Sequence, residues 1–173
     1  MLIDKIMNKF GYSEMYEWSE HFKFNIIPFG RFVTFADNEP GKIKLANNNN
    51  DIIIGVTTIN SLIESDNPEE WQGKYLCNEY GDILLKNYKN IIYPVINDNY
   101  NKDLKYIKRT ERKEWIRVNL LGKCIAVDNG ECKPGKYCMI GKDGIAVPYD
   151  VTTPKKYYII DRLSENTIMI FFK

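Results

Sequence analysis

Residues 157–172 read YYIIDRLSENTIMIFF, two apolar segments joined by a short polar turn. The segments 157–163 and 167–172 are rich in aromatic and β-branched side chains, which favour strands. Ser164, Glu165 and Asn166 lie between them and supply the polar turn. This stretch therefore predicts a closing β-hairpin, and similar short apolar runs recur toward the N-terminus.

Further strands are predicted wherever such runs lie between turn signals. Residues 115–127 (WIRVNLLGKCIAV) predict two short strands broken by Gly122, and 137–140 and 145–147 predict two more about a glycine-rich turn. Earlier candidates are 25–36 with a bend at 29–31, 42–46, 51–58, the pair 71–77 and 83–85 about Gly81, and 90–96. We therefore expect an all-β barrel or sandwich of many short antiparallel strands.

Residues 1–11 carry a different pattern, with Leu2, Ile3, Ile6 and Phe10 at helical spacing and Gly11 as the end. We interpret them as a short amphipathic helix or stalk remnant, followed by one β domain over residues 12–173. The sequence lacks both a long apolar span and a convincing signal peptide. No membrane association is expected.

Composition excludes several classes of function. The 173 residues include 24 basic and 23 acidic side chains, giving a net charge of +1. Nucleic-acid binding normally needs a clear basic excess, so nucleic acid is not an expected partner. Neither a phosphate-binding glycine loop nor a nucleophile-elbow motif is present, and no cofactor is expected.

The acidic residues near the N-terminus are the candidate catalytic groups. Glu14, Glu17 and Glu20 recur at every third position of YSEMYEWSEHF. On a helix they would lie along one face, where close carboxylates can serve as general acid and base. The alternative interpretation is a solvated acidic face. His21 is the only histidine, and no other residues complete a catalytic triad with it.

The four cysteines are Cys77, Cys124, Cys132 and Cys138, and none forms a CxxC pair. A zinc site built from the last three is not expected, because their spacing matches no standard pattern. They are interpreted as small buried thiols, and a disulfide is left open.

Two other features have ordinary structural interpretations. The basic stretch 105–113 could bind an anion, but interspersed acids favour a solvated loop within the polar excursion 97–114. Trp18, Trp71 and Trp115 are predicted to be core anchors. A carbohydrate site would instead need clustered exposed aromatic side chains.

A series of segments resembles a known family. They are YSEMYEW at 12–18, GRFVT at 30–34, KIKLA at 42–46, IGV at 54–56, WQGKYL at 71–76 with EYG at 79–81, the stretch at 111–123, CKPGKY at 132–137 and GIA at 144–146. In order and spacing they are similar to the intramolecular-chaperone autoproteolytic cleavage domain, peptidase family G-two. That family is found at the C-termini of phage tailspikes and pre-neck appendage proteins.

The resemblance implies a trimeric domain that assists folding of an upstream fibre. It also implies self-cleavage near the N-terminus of the domain by acidic residues. Glu14, Glu17 and Trp18 match the family pattern, whereas Gly11 stands where the family has an acid.

We therefore expect an assembly domain of a phage or prophage fibre-like protein, forming a homotrimer and contacting a fibre or coat protein. It would be cytoplasmic on synthesis and then particle-associated. The alternative function is an autocatalytic glutamic-type endopeptidase, with Glu14 and Glu17 cutting a bond near residues 11–13. A third hypothesis is a host-surface or glycan-binding fibre tip.

Overall fold

The computed structural model describes residues 10–19, 27–48, 51–151 and 154–173. Most of the helix predicted at 1–11 lies outside these ranges, as do Glu20 and His21. The chain divides into two compact units, one formed by residues 67–112 and the other by the segments on either side.

Nearly all regular structure is β, which confirms the predicted fold class. The larger unit contains β1 (Tyr12–Trp18), β2 (Phe32–Phe35), β3 (Lys42–Leu45), β4 (Ile53–Thr58), β5 (Ile63–Glu64), β8 (Trp115–Val127), β9 (Tyr137–Ile140), β10 (Ala146–Pro148), β11 (Tyr157–Ser164) and β12 (Thr167–Phe172). Residues 67–112 contain β6 (Leu85–Tyr88) and β7 (Ile91–Pro94). Short 3-10 turns cover Gln72–Lys74, Arg109–Glu111 and Lys142–Gly144. Within the described ranges, no helix has the length and apolarity to cross a bilayer.

Five strands of the larger unit pair in a closed ring, in the order β8, β4, β2, β3, β1 and back to β8. Strand β1 lies antiparallel to β8 but parallel to both β3 and β5. Most of the pairs are antiparallel, as predicted, and these two parallel pairs are additional. A parallel pair needs a crossover connection, and the chain makes one by passing through β2 between β1 and β3.

Strand β8 is continuous over 13 residues, so the prediction of two strands broken at Gly122 is wrong. Gly122 has φ +96°, a conformation that glycine adopts without a steric penalty, and the strand passes through it. Beyond this glycine, β8 continues into an antiparallel sheet in the order β8, β12, β11, β9, β10. Tyr12 lies opposite Leu121, and Phe172 lies opposite Gly122.

Two groups of buried apolar side chains form the core of this unit. One includes Phe32, Ile159 and Ile170, and the other includes Val33 and Trp18. Because successive strand residues face opposite ways, the neighbours Phe32 and Val33 pack into different groups. Trp18 is therefore a core anchor as predicted.

An ion pair with a buried carboxylate joins Asp128, just after β8, to Arg162 in β11. Asp128 has a side chain with no solvent exposure, and its carboxylate accepts from the Arg162 guanidinium at 2.7 Å. Arg162 also donates to the carbonyl oxygens of Ser164, at 3.1 Å, and Glu165, at 2.7 Å. The backbone N–H of Cys132 donates to the Asp128 carboxylate at 3.1 Å.

Two strand predictions are longer than the strands observed. In the described part of the predicted strand 25–36, from residue 27 onward, regular pairing begins at Phe32, and Gly30 instead forms a turn that bonds to Thr57 and Val127. In the predicted strand 71–77, the chain makes a 3-10 turn and then pairs through Cys77 with Ile83. Trp71 packs edge-on against Tyr106, with ring centroids 5.2 Å apart.

Candidate functional site

Residues 12–18 are strand β1 and not a helix, so Glu14 and Glu17 do not lie along one helical face. Side chains of a strand alternate between its two faces, and the pairing of β1 with β8 is regular from Ser13 to Glu17. The side chains of Glu14 and Glu17 therefore point to opposite faces of β1.

Glu14 shares its face with two tyrosines. The hydroxyl of Tyr12 donates to Glu14 Oε1, and the hydroxyl of Tyr16 donates to Glu14 Oε2 at 3.4 Å. The hydrogen bond to Glu14 raises the pKa of Tyr12. Burial, followed by the Glu14 charge, raises the pKa of Tyr16. Both phenols are therefore held protonated as donors to this carboxylate.

Glu17 occupies a more ordinary environment. Its Oε1 lies 3.3 Å from Lys42 Nζ, which also lies 3.4 Å from Glu39 Oε2. This is a partly exposed ion-pair cluster at the end of β1, next to the pairing of Glu17 with Lys42 in the parallel ladder. Such clusters usually contribute little to stability.

Gly11 lies at the tightest point of the segment. Its φ is +70°, and a Cβ built on it would lie 2.4 Å from Asn119 Oδ1 and 2.5 Å from the Leu121 carbonyl oxygen. The Gly11 carbonyl oxygen accepts from the backbone N–H groups of Leu62 and Ile63, each at 3.1 Å. A side chain at this position would therefore overlap the backbone of β8.

Buried polar groups surround this glycine. Ser13 and Ser61 are fully buried, and their hydroxyls are hydrogen-bonded to each other. Asn119, 1% exposed, donates from Nδ2 to the Lys123 carbonyl oxygen at 3.0 Å. Its Oδ1 has no hydrogen-bond partner among the described residues. Sequence reasoning missed Asn119; the available signal was a polar residue between the apolar residues Val118 and Leu120.

The cysteines show no metal-binding arrangement. Cys124, Cys132 and Cys138 are buried with free thiols, and Cys77 is exposed. Burial raises the pKa of Cys124 and of Cys132 to about 12, and raises that of Cys138 as well. Within the described residues, no group of three potential metal ligands is found. The three buried thiols act as small core side chains.

Comparison with known proteins identifies the family of this chain. The model of the family Peptidase_G2, IMC autoproteolytic cleavage domain, matches residues 6–165, which confirms the resemblance seen in the sequence. The pre-neck appendage protein of Bacillus phage B103 is 31% identical over 154 residues, covering 83% of this chain and 17% of that protein. The pre-neck appendage protein of Bacillus phage phi29 is 29% identical over 154 residues, covering 83% and 18%. The chain thus spans less than a fifth of these relatives.

Solved structures share the fold. Pre-mature bacteriophage phi29 gene product 12 matches with a TM-score of 0.78 and 22% identity, over 96% of this chain and 22% of that one. The C-terminal fragment of the same gene product matches with a TM-score of 0.74 and 23% identity, over 94% and 99%. At this identity the likeness establishes the common fold.

Proposed function

The chain belongs to the family of IMC autoproteolytic cleavage domains, and we propose that it acts mainly in assembly, as a self-associating domain of a phage appendage-like protein. Its relatives named above are phage appendage proteins, which supports a multimeric, particle-associated role. We further propose that the self-associated form is a homotrimer and that it contacts a fibre or coat protein.

The observation that carries this proposal is the apolar surface of residues 67–112. All of these residues are described, and none is buried. Several large apolar side chains are mostly exposed, among them Leu85 at 64%, Ile91 at 67% and Ile92 at 65%. Exposed apolar clusters of this kind mark surfaces that associate with other chains.

The hairpin formed by β6 and β7 explains why a partner is needed. Its ladder runs from Leu85 opposite Pro94 to Tyr88 opposite Ile91, and among the described residues only isolated bridges, Tyr75 with Ile96 and Cys77 with Ile83, extend it. A two-stranded hairpin is marginally stable alone in water. A second and third copy of the same chain would cover its apolar side chains, and cyclic association makes equivalent surfaces available on every copy.

Replacing Ile92 with glutamate is expected to convert the oligomer into a monomer, because the substitution places a charge in the apolar contact. The molar mass of the native chain and the variant, measured by light scattering at micromolar concentration, checks this. Ile52, 74% exposed in the larger unit, provides the matched control, and Ile52→Glu should keep the native mass. A native monomer, or an Ile92→Glu variant of unchanged mass, would contradict the proposal.

Self-cleavage near residues 11–13 is the second candidate function. It is supported by the closely packed backbone at Gly11 and by the two N–H groups directed at its carbonyl oxygen. Such donors stabilise the negative charge that develops when a nucleophile attacks a carbonyl. The bond is held within the chain, and intramolecular placement supplies an effective molarity of roughly 10⁵ M or more.

In the proposed reaction, water attacks a carbonyl carbon in this segment and the peptide C–N bond breaks. Glu14 takes a proton from the water and delivers it to the departing amine. Glu17 faces the other side of β1, so a carboxylate pair would require Glu17 from a neighbouring copy.

Glu14→Gln is expected to abolish self-cleavage, because an amide cannot take up the proton of the attacking water. The intact mass of the denatured chain, followed over several days, checks this by the loss of a fragment that ends between Phe10 and Ser13. Glu165→Gln, at an exposed turn in the closing hairpin, is the control and should cut at the native rate. If the Glu14→Gln variant is cleaved at the native rate, Glu14 has no part in the mechanism. If the mass of the native chain stays constant over these days, the chain does not cleave itself and assembly is its function.

A further inference from the structure

A small, largely apolar cavity lies beside Phe10, in the larger unit. Its volume is about 340 Å³. The large apolar side chains of its lining are Phe10, Phe29, Ile59, Ile125 and Val127. Polar residues such as Thr58 and Lys123 also contribute to the lining. Ligand pockets usually hold about 300–1,000 Å³, so this cavity suits a few aliphatic side chains better than an extended ligand.

The lining of this cavity exposes more apolar surface than a core would. Ile59 is 59% exposed, Ile125 is 39% exposed and Phe29 is 37% exposed. Contiguous apolar surface of this kind marks a place where another segment or chain binds, because covering it removes apolar area from water. The cavity therefore favours an apolar occupant.

Residues 1–9 are an apolar segment that joins the wall of the cavity directly, at Phe10. Leu2, Ile3, Ile6 and Met7 are its apolar side chains, and they alternate with polar residues. So short a segment cannot form a core of its own, because it has too little apolar surface to bury. It needs an apolar surface to pack against, and the nearest one along the chain is this cavity.

The length of the connection brings Ile6 and Met7 within reach of the cavity. An extended chain spans at most about 3.6 Å per residue, so residue 6 lies within about 14 Å of residue 10. The connection starts from a fixed point, because the Gly11 carbonyl oxygen accepts from the N–H groups of Leu62 and Ile63, each at 3.1 Å. A tether this short gives an effective concentration of about millimolar or more, so weak contacts suffice. A second copy would in addition lose translational and rotational freedom on binding, which favours the chain's own segment as occupant.

We propose that this cavity binds residues 1–9 of the same chain, with the side chains of Ile6 and Met7 against its apolar lining. The polypeptide that precedes Gly11 is then anchored to β4 and β8, since Thr58 and Ile125 of these strands line the cavity. The cavity is thus a docking site for the segment leading into the domain. This inference goes beyond the proposed assembly function and does not depend on self-cleavage.

Disulfide trapping in the whole chain tests the proposal, in a Cys77→Ser background that removes the exposed native thiol. Ile6→Cys/Ile59→Cys places one thiol in the segment and one in the lining. Ile6→Cys/Ile52→Cys is the matched control, because Ile59 directly follows β4 and Ile52, 74% exposed, directly precedes it. The two positions on this strand are about 23 Å apart. In a glutathione redox buffer, the effective concentration of the 6–59 thiol pair should exceed that of the 6–52 pair by about 10-fold or more.

Two further substitutions in the Ile6→Cys/Ile59→Cys chain separate docking from mere proximity. Met7→Asp places a charge in the apolar contact and should lower the effective concentration about 10-fold. Asn8→Asp adds the same charge at a polar position and should leave the effective concentration unchanged. Thermal melting followed by circular dichroism should show that every variant is folded. Peptide mass mapping identifies the bond, and a bond from residue 6 to Cys124, which also lines the cavity, supports the proposal equally.

Three results would overturn this docking. The first is a 6–59 pair that links no better than the 6–52 pair. The second is a Met7→Asp variant that links as well as its parent, or no better than Asn8→Asp distinguishes it. The third is a product of doubled mass under denaturing, non-reducing conditions, because the occupant of the cavity would then be the segment of a second copy.

Discussion

Replacing Arg162 with leucine is expected to lower the free energy of unfolding by about 3–5 kcal/mol, the usual consequence of leaving a buried charge without its partner. Asp128, 3% exposed, would lose its bonded guanidinium at 2.7 Å. The carbonyl oxygens of Ser164 and Glu165 would lose their donor as well. Urea unfolding followed by circular dichroism measures the loss.

The exposed pair of Lys74 and Glu70 is the matched control for this substitution. Its Nζ and Oε2 atoms are 2.6 Å apart, but the Glu70 side chain is 57% exposed. Lys74→Leu should therefore destabilise the chain much less than Arg162→Leu does. Native chain and variants are compared at one protein concentration, because association also contributes to apparent stability. Equal losses for Arg162→Leu and Lys74→Leu would show that burial of Asp128 does not determine the cost.

Gly11→Ala is expected to destabilise the domain by about 2–5 kcal/mol, the sum of a left-handed backbone and an overpacked contact. Residue 11 has φ +70°, and the added methyl would lie 2.5 Å from the Leu121 carbonyl oxygen, which belongs to the backbone of β8 and cannot simply rotate away. The start of β1 would have to move, together with the carbonyl that Leu62 and Ile63 bind. The same urea unfolding measures the effect.

Gly41→Ala separates the two contributions. Gly41 has φ +82°, yet a Cβ there would meet nothing within 4 Å. This control therefore carries the cost of the left-handed backbone alone, about 1–2 kcal/mol. Should Gly11→Ala cost no more than Gly41→Ala, the close approach of Asn119 and Leu121 would be more adaptable than the structure indicates.

Local sequence patterns predicted the strands and turns that are determined by neighbouring residues. The closing hairpin was found where two segments rich in aromatic and β-branched residues flank a polar turn, and the KIKLA strand was found at Lys42–Leu45. The helical interpretation of Glu14 and Glu17 was wrong because it followed the three-residue spacing of the acids. Tyr12, Tyr16 and Trp18 in the same segment have side chains that favour strands, and tertiary pairing with β8 decided the outcome.

Long-range features could not be predicted from local patterns. Closure of the ring depends on β1 pairing with β8, about a hundred residues later. Phe171, Tyr158 and Tyr137 lie side by side only because the registers of two strand pairs coincide, and a shift of one residue in either pair would turn a ring to the other face. The lack of room at Gly11 likewise arises from Asn119 and Leu121, distant residues whose effect sequence reasoning did not anticipate.

The meeting of the first and last strands at Gly122 has a consequence for how the domain connects to other polypeptide. Tyr12, at the start of β1, and Phe172, at the end of β12, lie opposite consecutive residues of β8. Polypeptide leading into β1 and polypeptide leaving β12 would therefore pass through the same place on the surface. A domain whose two ends lie close together can be inserted into a longer protein, because the segments on either side of the insertion stay near each other.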